Sequence, residues 1–267
     1  MKELRDRLNA ISLNIPSKAF FAAKKTDPKI LEIFLSSIAP LETDHSLVRI
    51  GPTTDGGYLL PDDLQGIGTC FSPGVSMVSG FELECASRGM EVYLADASVD
   101  GPPDSHPKFH FSKKYLGAHS HDEFITMEQW IETVKPDLST DWLLQIDIEG
   151  AEYEVILNLS DHYLKKFRII VIEFHMLDYL FDDGFFRLAS SAFQKLLAHH
   201  SCVHIHPNNC SATVISRGIN IPKIMEFTFH RNDRIQVRKR ATRFPHPLDC
   251  ECVPHFPPLS LPACWYP

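Results

Sequence analysis

The sequence contains little glycine, no long apolar run and no excess of basic charge. Only 13 of its 267 residues are glycine, so it lacks the dense glycine loop of many dinucleotide-binding folds. No stretch reaches the ~20 apolar residues that span a bilayer, and residues 1–13 lack the apolar core of a signal peptide. Acidic residues outnumber basic ones by 34 to 26, which disfavours general nucleic-acid binding because phosphate contacts need lysine and arginine. We therefore expect a cytoplasmic protein with neither a transmembrane segment nor a nucleic-acid partner.

The cysteines and the basic residues do not form a pattern typical of a known site. Cysteine occurs 7 times, an odd number scattered along the chain, which does not predict a disulfide framework. The basic run Arg231–Arg243 is interpreted as a solvated strand end and tail rather than a nucleic-acid patch. A zinc site is a less favoured alternative to chance proximity for four residues of the tail, His246, Cys250, Cys252 and His255.

Proline and apolar residues divide the chain into three segments. We expect a helical extension over residues 1–48, an α/β domain over residues 49–233, and a proline-rich tail over residues 234–267 that packs on or near the core. In the central segment, short apolar runs alternate with amphipathic stretches, which predicts a parallel, doubly wound sheet. The runs Leu143–Ile146 and Ile169–Ile172 are apolar nearly throughout, as expected of strands covered on both faces.

The apolar periodicity predicts seven strands and four helices in the central segment. The predicted strands span residues 68–72, 91–96, 108–111, 142–147, 168–175, 202–206 and 224–230. The predicted helices span residues 79–88, 121–133, 152–158 and 183–199. A further helix is predicted in the extension, where residues 28–37 carry apolar side chains at helical spacing.

The first predicted strand and its turn form a candidate nucleotide site. A strand, a turn of small residues and a helix N-terminus present backbone amides to such a ligand. Asp96 ends the next strand about 20 residues later, where an acid can accept hydrogen bonds from ribose hydroxyls; a cap of the loop that begins at Ala97 is the alternative. The candidate contacts of the first turn are Ser72, Gly74, Ser76 and Glu82.

The segment Asp147–Glu152 carries the strongest local signal, because a buried apolar strand ends abruptly in three carboxylates. In an open parallel sheet, ligands bind beyond the carboxyl ends of the strands, so Asp147 and Glu149 are expected to face a cleft. Gly150 permits a tight turn into the following helix. If the acids only cap that helix, Glu152 is explained, but Asp147 is not.

Two further strands end in polar side chains. Glu173 and His175 are expected on one face because side chains alternate along a strand, and this pair suggests a general base or two metal ligands. A hydrogen-bonded core histidine is the alternative. His204 and His206 also share a face, which is compatible with metal binding or with a turn built by Pro207 and the asparagines that follow it.

The ordered set of these motifs resembles the FkbM-like branch of the methyltransferases that depend on S-adenosylmethionine (SAM). The resemblance extends from about Arg49 to Asp233. Its landmarks are Asp55–Pro61, Asp147–Glu152, Glu173–His175, His206–Asn209 and Pro222–Arg231.

The resemblance implies a class I methyltransferase fold, a Rossmann-like sheet of seven mostly parallel strands with a reversed last strand. It also implies O-methylation of a hydroxyl on a sugar, glycan or related small molecule. SAM is expected at the turn of Gly74, with Asp96, Ala97 and Asp147 as further contacts. The usual Gly-x-Gly-x-Gly loop is replaced here by Pro73–Ser76.

Methyl transfer to a hydroxyl requires in-line alignment and removal of the hydroxyl proton. His175 has the ordinary pKa range of a base near neutral pH, and Asp147 and Glu149 complete the candidate catalytic set. A Mg²⁺ or Mn²⁺ ion is an open alternative that would acidify the hydroxyl, held by Asp147, Glu173, His175 and His206. Two rival functions also remain open, a nicotinamide-dependent oxidoreductase and a non-catalytic binding module of the same fold.

Overall fold

A seven-stranded sheet is the centre of the computed structural model, which describes residues 24–75 and 77–267. The predictions that concern residues 1–23 and Ser76 lie outside the described residues. Strands β1 to β15 are, in chain order, Leu41–Glu42, Leu47–Ile50, Tyr58–Pro61, Ile67–Pro73, Glu91–Ala95, Phe109–Ser112, Tyr115–Leu116, Phe124–Ile125, Asp141–Ile146, Phe167–Phe174, His200–Pro207, Thr213–Ser216, Ile219–Pro222, Met225–Arg231 and Lys239–Arg240.

The described residues also form six α-helices, the first of which precedes β1. Helices α1 to α6 are Pro28–Ser37, Gly80–Ser87, Met127–Val134, Glu152–Asn158, Asp161–Leu164 and Asp183–Leu197. Three short 3₁₀ helices span Leu177–Phe181, Asn232–Arg234 and Ala263–Trp265. Over residues 24–75 and 77–267, none of the helices combines the length and the apolar character that crossing a bilayer requires.

The strand order of the sheet is β11-β14-β10-β9-β4-β5-β6. All neighbours pair in parallel except β14, which runs antiparallel to both β10 and β11. This arrangement confirms the prediction of a mostly parallel Rossmann-like sheet whose last strand is reversed. Since β14 runs in the opposite direction, its first residues lie at the edge where the parallel strands end.

Alternate side chains of β10 face two separate apolar layers, as its continuous apolar run predicts. Ile170 and Ile172 belong to the layer formed with α1, α3, α4 and α6. Ile169 and Val171 belong to the opposite layer, formed with α2, β2 and β3. Burial on both faces makes this strand and its neighbour β9 a rigid support for the residues that follow them.

The predicted helix over residues 121–133 is wrong in its first turn. Phe124 and Ile125 instead form β8, which pairs with β7, and the side chain of Thr126 accepts a hydrogen bond from the backbone N–H of Gln129. A threonine that caps a helix satisfies one of its free amides, so the helix begins after it, at Met127. The hairpin of β2 and β3 has no counterpart among the predicted strands because each of its strands is only four residues long.

Residues of both terminal segments pack against the α/β domain. Helix α1 is capped by Asp27 and has Pro28 at its first position, a favourable combination for a helix start. Strand β1 pairs with β15, and Trp265 is fully buried with its indole N–H donating to the carbonyl of Asn220. The limits of the three segments proposed above stay a prediction.

A buried ion-pair network lies at the opposite edge of the sheet, where the parallel strands begin. Arg168 on β10 is 2.7 Å from Asp141 and 3.3 Å from Asp63. Arg231 and Arg234, the first arginines of the basic run, bind Asp141 and Asp63 respectively. Part of that run is therefore used inside the fold.

Candidate functional site

The strands β4, β5, β9 and β10 end beside one another at one edge of the sheet. The backbone N–H of Gly74, after β4, donates to the carbonyl of Ala95 at 3.0 Å, and the N–H of Asp147 donates to the carbonyl of Pro73 at 3.4 Å. These bonds hold the loops that follow β4, β5 and β9 against one another. The candidate residues at the end of each strand are thus brought to a common edge.

Gly74 permits this close approach of two loops. Its φ of +95° is in the region that L side chains rarely adopt, and a Cβ placed there would lie 1.6 Å from the carbonyl oxygen of Asp147. No side chain can be accommodated without moving the loop that carries Asp147. The glycine is therefore required by the neighbouring strand, whatever ligand the turn contacts.

We expect Gly74→Ala to destabilise the fold more than Gly89→Ala, a matched control. Gly89 has a φ of +100°, but a Cβ there meets nothing within 4 Å, so its substitution costs only the left-handed strain of about 1–2 kcal/mol. Gly74→Ala adds the backbone clash. Urea unfolding measures both free energies, and equal losses would contradict the steric role of Gly74.

A cavity of about 580 Å³ opens at this edge, within the size range of small-molecule sites. One side is polar and one is apolar. The polar side includes Asp96, Asp147 and Glu149. The apolar side includes Tyr115, Leu116 and Phe124.

Asp96 is buried at the wall of the cavity and is held by its own loop. Its Oδ1 atom accepts hydrogen bonds from the backbone N–H and the hydroxyl of Ser98, at 2.7 and 2.6 Å. Among the described residues, no hydrogen bond engages Oδ2. The loop cap considered from the sequence is therefore real, and it leaves the second oxygen able to accept from a ligand. Ala95 and Ser98 also line the cavity around it.

Ser72 and Glu82 lie behind the turn. Ser72 is fully buried, and its hydroxyl oxygen is 2.5 Å from Glu82 Oε1 and 2.7 Å from Gln145 Oε1. Burial raises the pKa of Glu82 above its ordinary value. Glu82 and Gln145 line a smaller cavity of about 110 Å³ that shares Gly74 and Asp147 with the larger one.

Glu152 fixes the orientation of His175. Its Oε1 atom accepts hydrogen bonds from the backbone N–H groups of Gly150 and Ile148 and lies 3.0 Å from His175 Nδ1. The Nδ1 atom must therefore be the donor, which leaves Nε2 as the nitrogen that can take up a proton or bind an ion. Tyr153 adds a hydrogen bond to the carbonyl of His175 at 2.6 Å.

The Nε2 atom of His175 is surrounded by carboxylates. It lies 3.6 Å from Glu149, 3.7 Å from Glu173 and 3.8 Å from Asp147. Burial alone would lower the pKa of His175, but the hydrogen bond and charge of Glu152, together with the other carboxylates, raise it above the ordinary value. Burial and the charges of Glu149 and Glu152 also raise the pKa of Asp147, against the opposing effect of His175.

The site contains more negative charge than its single histidine can neutralise. Glu173 is 5% exposed, and burial raises its pKa, with further contributions from Asp147, Glu226 and Asp55. Its Oε1 atom accepts a hydrogen bond from Asn208, but its buried Oε2 atom has no partner among the described residues. Ligand atoms of Asp147, Glu173 and His175 all lie within 4.8 Å of one another.

His206 lies apart from this group. Its Nδ1 atom is 3.5 Å from Asp249 of the tail, and His204 Nε2 is 2.9 Å from the same carboxylate. The two histidines share a face, as predicted, and they bind the tail there. Over the described part of the chain, the four tail residues considered for zinc do not form a cluster of ligand atoms.

The structure thus brings Gly74, Asp96, Asp147 and Glu149 together around the cavity, with Glu173 and His175 adjoining them. The predicted contact Ala97 is not among the lining residues, although the next residue, Ser98, is. Three contributors were not predicted to take part in this site. Glu152 was interpreted as part of a helix start. Its distance in sequence from His175, at the end of the next strand, gave no signal that the two side chains would meet. Asp55 and Cys252 come from distant segments, and their ligand atoms lie within 4.8 Å of Glu173.

Comparison with known proteins tests the assignment of the family. Residues 102–200 match the family model of the methyltransferase FkbM domain. The match supports an FkbM-like methyltransferase family for this part of the chain. The match includes Asp147, Glu152, Glu173 and His175, and it confirms the family that the motifs resemble. No curated protein matches the chain significantly.

The FkbM match covers only part of the site. It begins after Asp96 and therefore excludes the Gly74 turn. The Gly74 turn follows β4 and Asp96 follows β5, and these two strands pair side by side, so both lie at the same edge of the sheet. The FkbM-type domain and the full Rossmann-like sheet together support a methyltransferase.

Proposed function

We propose that this protein transfers the methyl group of SAM to a hydroxyl of a sugar, a glycan or a related small molecule. The cavity carries the proposal, because its lining includes Asp96 together with the carboxylates that lie next to His175. When bound, SAM supplies a methyl group on a sulfonium that is already a good leaving group. The protein must then hold both reactants and accept one proton.

The cavity residues fit the parts of SAM. The free Oδ2 of Asp96 suits the ribose hydroxyls, and the apolar side with Tyr115 and Phe124 suits the adenine ring. The smaller cavity contains the carboxyl groups of Asp55 and Glu82, which suit the amino group of the methionine part. In this arrangement the turn at Gly74 lies between the two ends of the ligand.

His175 and Asp147 together supply the base. Glu152 holds Nδ1 of His175 as a donor, so Nε2 is the proton acceptor. Asp147 and Glu149 line the cavity and lie within 3.8 Å of Nε2, which connects the histidine to a hydroxyl bound there. The hydroxyl proton passes to this pair as the oxygen attacks the methyl group.

The oxygen-rich donors Asp147 and Glu173, with His175, also fit a divalent cation such as Mg²⁺ or Mn²⁺. When bound, such an ion would lower the pKa of a hydroxyl next to it. Turnover before and after exhaustive chelation, with each metal added back, tests this part of the proposal. Unchanged turnover would exclude a catalytic ion and leave the base alone.

Cofactor choice separates the proposal from the two rival functions. Thermal unfolding is measured with SAM, S-adenosylhomocysteine or NAD present, because a ligand that binds the native state raises the midpoint. Stabilisation by SAM and its product supports methyl transfer. Stabilisation by NAD alone would favour the oxidoreductase, and no response to either would favour a non-catalytic module.

We expect Asp96→Ala to weaken S-adenosylhomocysteine binding about 10- to 150-fold, the equivalent of one lost hydrogen bond to a charged group. Calorimetric titration measures the Kd. The matched control is Asp100→Ala, in the same loop, whose side chain is exposed and paired with Lys113. Equal affinity of the Asp96 variant and the control would contradict the ribose assignment.

A further inference from the structure

A group of acids and one thiol, buried except for Asp55, lies next to the proposed active site, where the tail meets the sheet. Ligand atoms of Asp55, Glu173 and Cys252 lie within 4.8 Å of one another. Cys252 is 6% exposed and Glu226 is 8% exposed, and the Cys252 thiol donates to Glu226 Oε1 at 3.4 Å. Four elements distant in sequence therefore meet at this point.

The acids of this group have few basic partners within the described residues: burial raises the pKa of Glu226, and only His206 and Arg49 among nearby bases lower it. No lysine or arginine there forms an ion pair with Asp55, Glu173 or Glu226, and the carboxylate of Glu173 has only His175 as a basic partner. A buried carboxylate is costly unless it is paired, protonated or bound to a metal. The Oε2 atom of Glu173 is buried and has no hydrogen-bond partner in the described chain. It is therefore available as a ligand.

The tail holds Cys252 in place from both sides. Three residues before it, Asp249 contacts His204 and His206. One residue after it, the backbone of Val253 exchanges hydrogen bonds with the side chain of Asn209, at 2.9 and 3.0 Å. Such anchoring places the thiol before any ion binds, which reduces the ordering cost of a metal site.

We propose that Asp55, Glu173 and Cys252 form a binding site for a zinc-like divalent cation that joins the tail to the edge of the sheet. One thiolate and two carboxylates are a donor set suited to Zn²⁺, with bonds of about 2.0–2.3 Å. Ligand atoms around such an ion lie about 3.3–3.8 Å apart, so shifts of roughly 1 Å complete the site. Binding releases the thiol proton to solvent.

This site differs from the zinc site considered from the sequence. Of its four residues only Cys252 takes part, since Cys250 contacts the carbonyl of Leu248 and His255 packs on Phe256. The inference does not depend on methyl transfer, because it concerns metal binding alone. It shares Glu173 with the catalytic edge and Asp55 with the smaller cavity, so the two sites are neighbours.

Co²⁺ is a suitable probe because a thiolate ligand gives it a near-ultraviolet charge-transfer absorption. Full-length protein is stripped of metal with a chelator, titrated with Co²⁺ and then back-titrated with Zn²⁺. We expect the absorption at one equivalent of Co²⁺ and its loss on addition of Zn²⁺. Cys252→Ser should abolish the band and weaken Zn²⁺ binding by at least about tenfold, the smallest effect seen for outer-sphere changes.

Three variants make the result specific. Cys250→Ser, two residues away, should keep the band, and so should Cys210→Ser, whose exposed thiol is near the same acids. Asp55→Asn changes an exposed residue, and it should also weaken Zn²⁺ binding about tenfold or more. A wild-type protein without the band, or a band that disappears in Cys210→Ser and persists in Cys252→Ser, would overturn the proposal.

Discussion

His175→Ala is expected to lower kcat by about 100- to 10,000-fold, the range of a lost general base, while SAM affinity stays within a few-fold of wild type. The two effects separate because Asp96 and the apolar residues, which contact the cofactor in the proposed arrangement, line the cavity, whereas His175 adjoins it through Asp147 and Glu149. Methyl transfer with labelled SAM measures the rate, and calorimetry measures the affinity. His110→Ala, which removes an exposed histidine paired with Glu91, is the control.

The pH dependence of the rate gives a second measurement of the same assignment. His175 must be unprotonated to accept a proton, and its pKa is raised, so kcat should increase with pH through a value above the ordinary 6.5. Glu152→Gln keeps an oxygen for Nδ1 but removes the charge that raises this pKa. The rise should then move to lower pH. An unchanged profile in Glu152→Gln, or full turnover in His175→Ala, would show that another group is the base.

The central sheet could be predicted because its strands have a strong local signal. The apolar runs around Leu143 and Ile169 leave few alternatives to a strand buried on both faces, and both are found there. The short pairs β7–β8 and β12–β13 contain two to four residues each. At that length, pairing with a distant or irregular neighbour decides the structure, and the sequence pattern carries too little information.

The candidate site could be predicted only where polar residues interrupt an apolar strand. Asp147, Glu173 and His175 were found in this way, because each follows a buried run at the edge where parallel strands end. Ser72 shows the limit of the method. It ends a strand just as Asp147 does, but its hydroxyl is used inside the fold by Glu82 and Gln145. Sequence spacing does not distinguish a buried polar contact from a ligand contact.

Residues brought in by the tail could not be predicted. Proline density indicated that residues 234–267 are irregular, but the position of an irregular segment depends on a few specific contacts. Here Asp249 binds the two histidines of β11, and Cys252 is carried to Glu226 and Glu173 as a consequence. Such contacts join residues far apart in the chain, 26 positions for Cys252 and Glu226, for which a single sequence has no signal.

Asp63→Ala is expected to destabilise the fold by about 3 kcal/mol, the lower end of the range for breaking a buried ion pair. Asp63 accepts two hydrogen bonds from Arg234 and one from His230, and it contacts the buried Arg168. The loss leaves these donors without their shared partner, although Arg168 keeps Asp141. The control Asp233→Ala removes an exposed partner of Arg231 and should cost less than about 1 kcal/mol. Similar unfolding free energies for the two variants would contradict the role of the network.

The difference between wild type and Asp63→Ala should disappear in acid. Burial alone would raise the pKa of Asp63, but Arg234, His230 and Arg168 outweigh it and hold the pKa at about 2, below the ordinary value near 3.9 of an unfolded chain. A carboxyl with a lowered folded-state pKa stabilises the native state above the unfolded pKa, and this contribution is lost as pH falls through the folded one. Urea unfolding at a series of pH values should therefore show a constant difference above about pH 4 and a shrinking one towards pH 2. A difference that persisted undiminished at the acid end would mean that packing, not charge, makes Asp63 important.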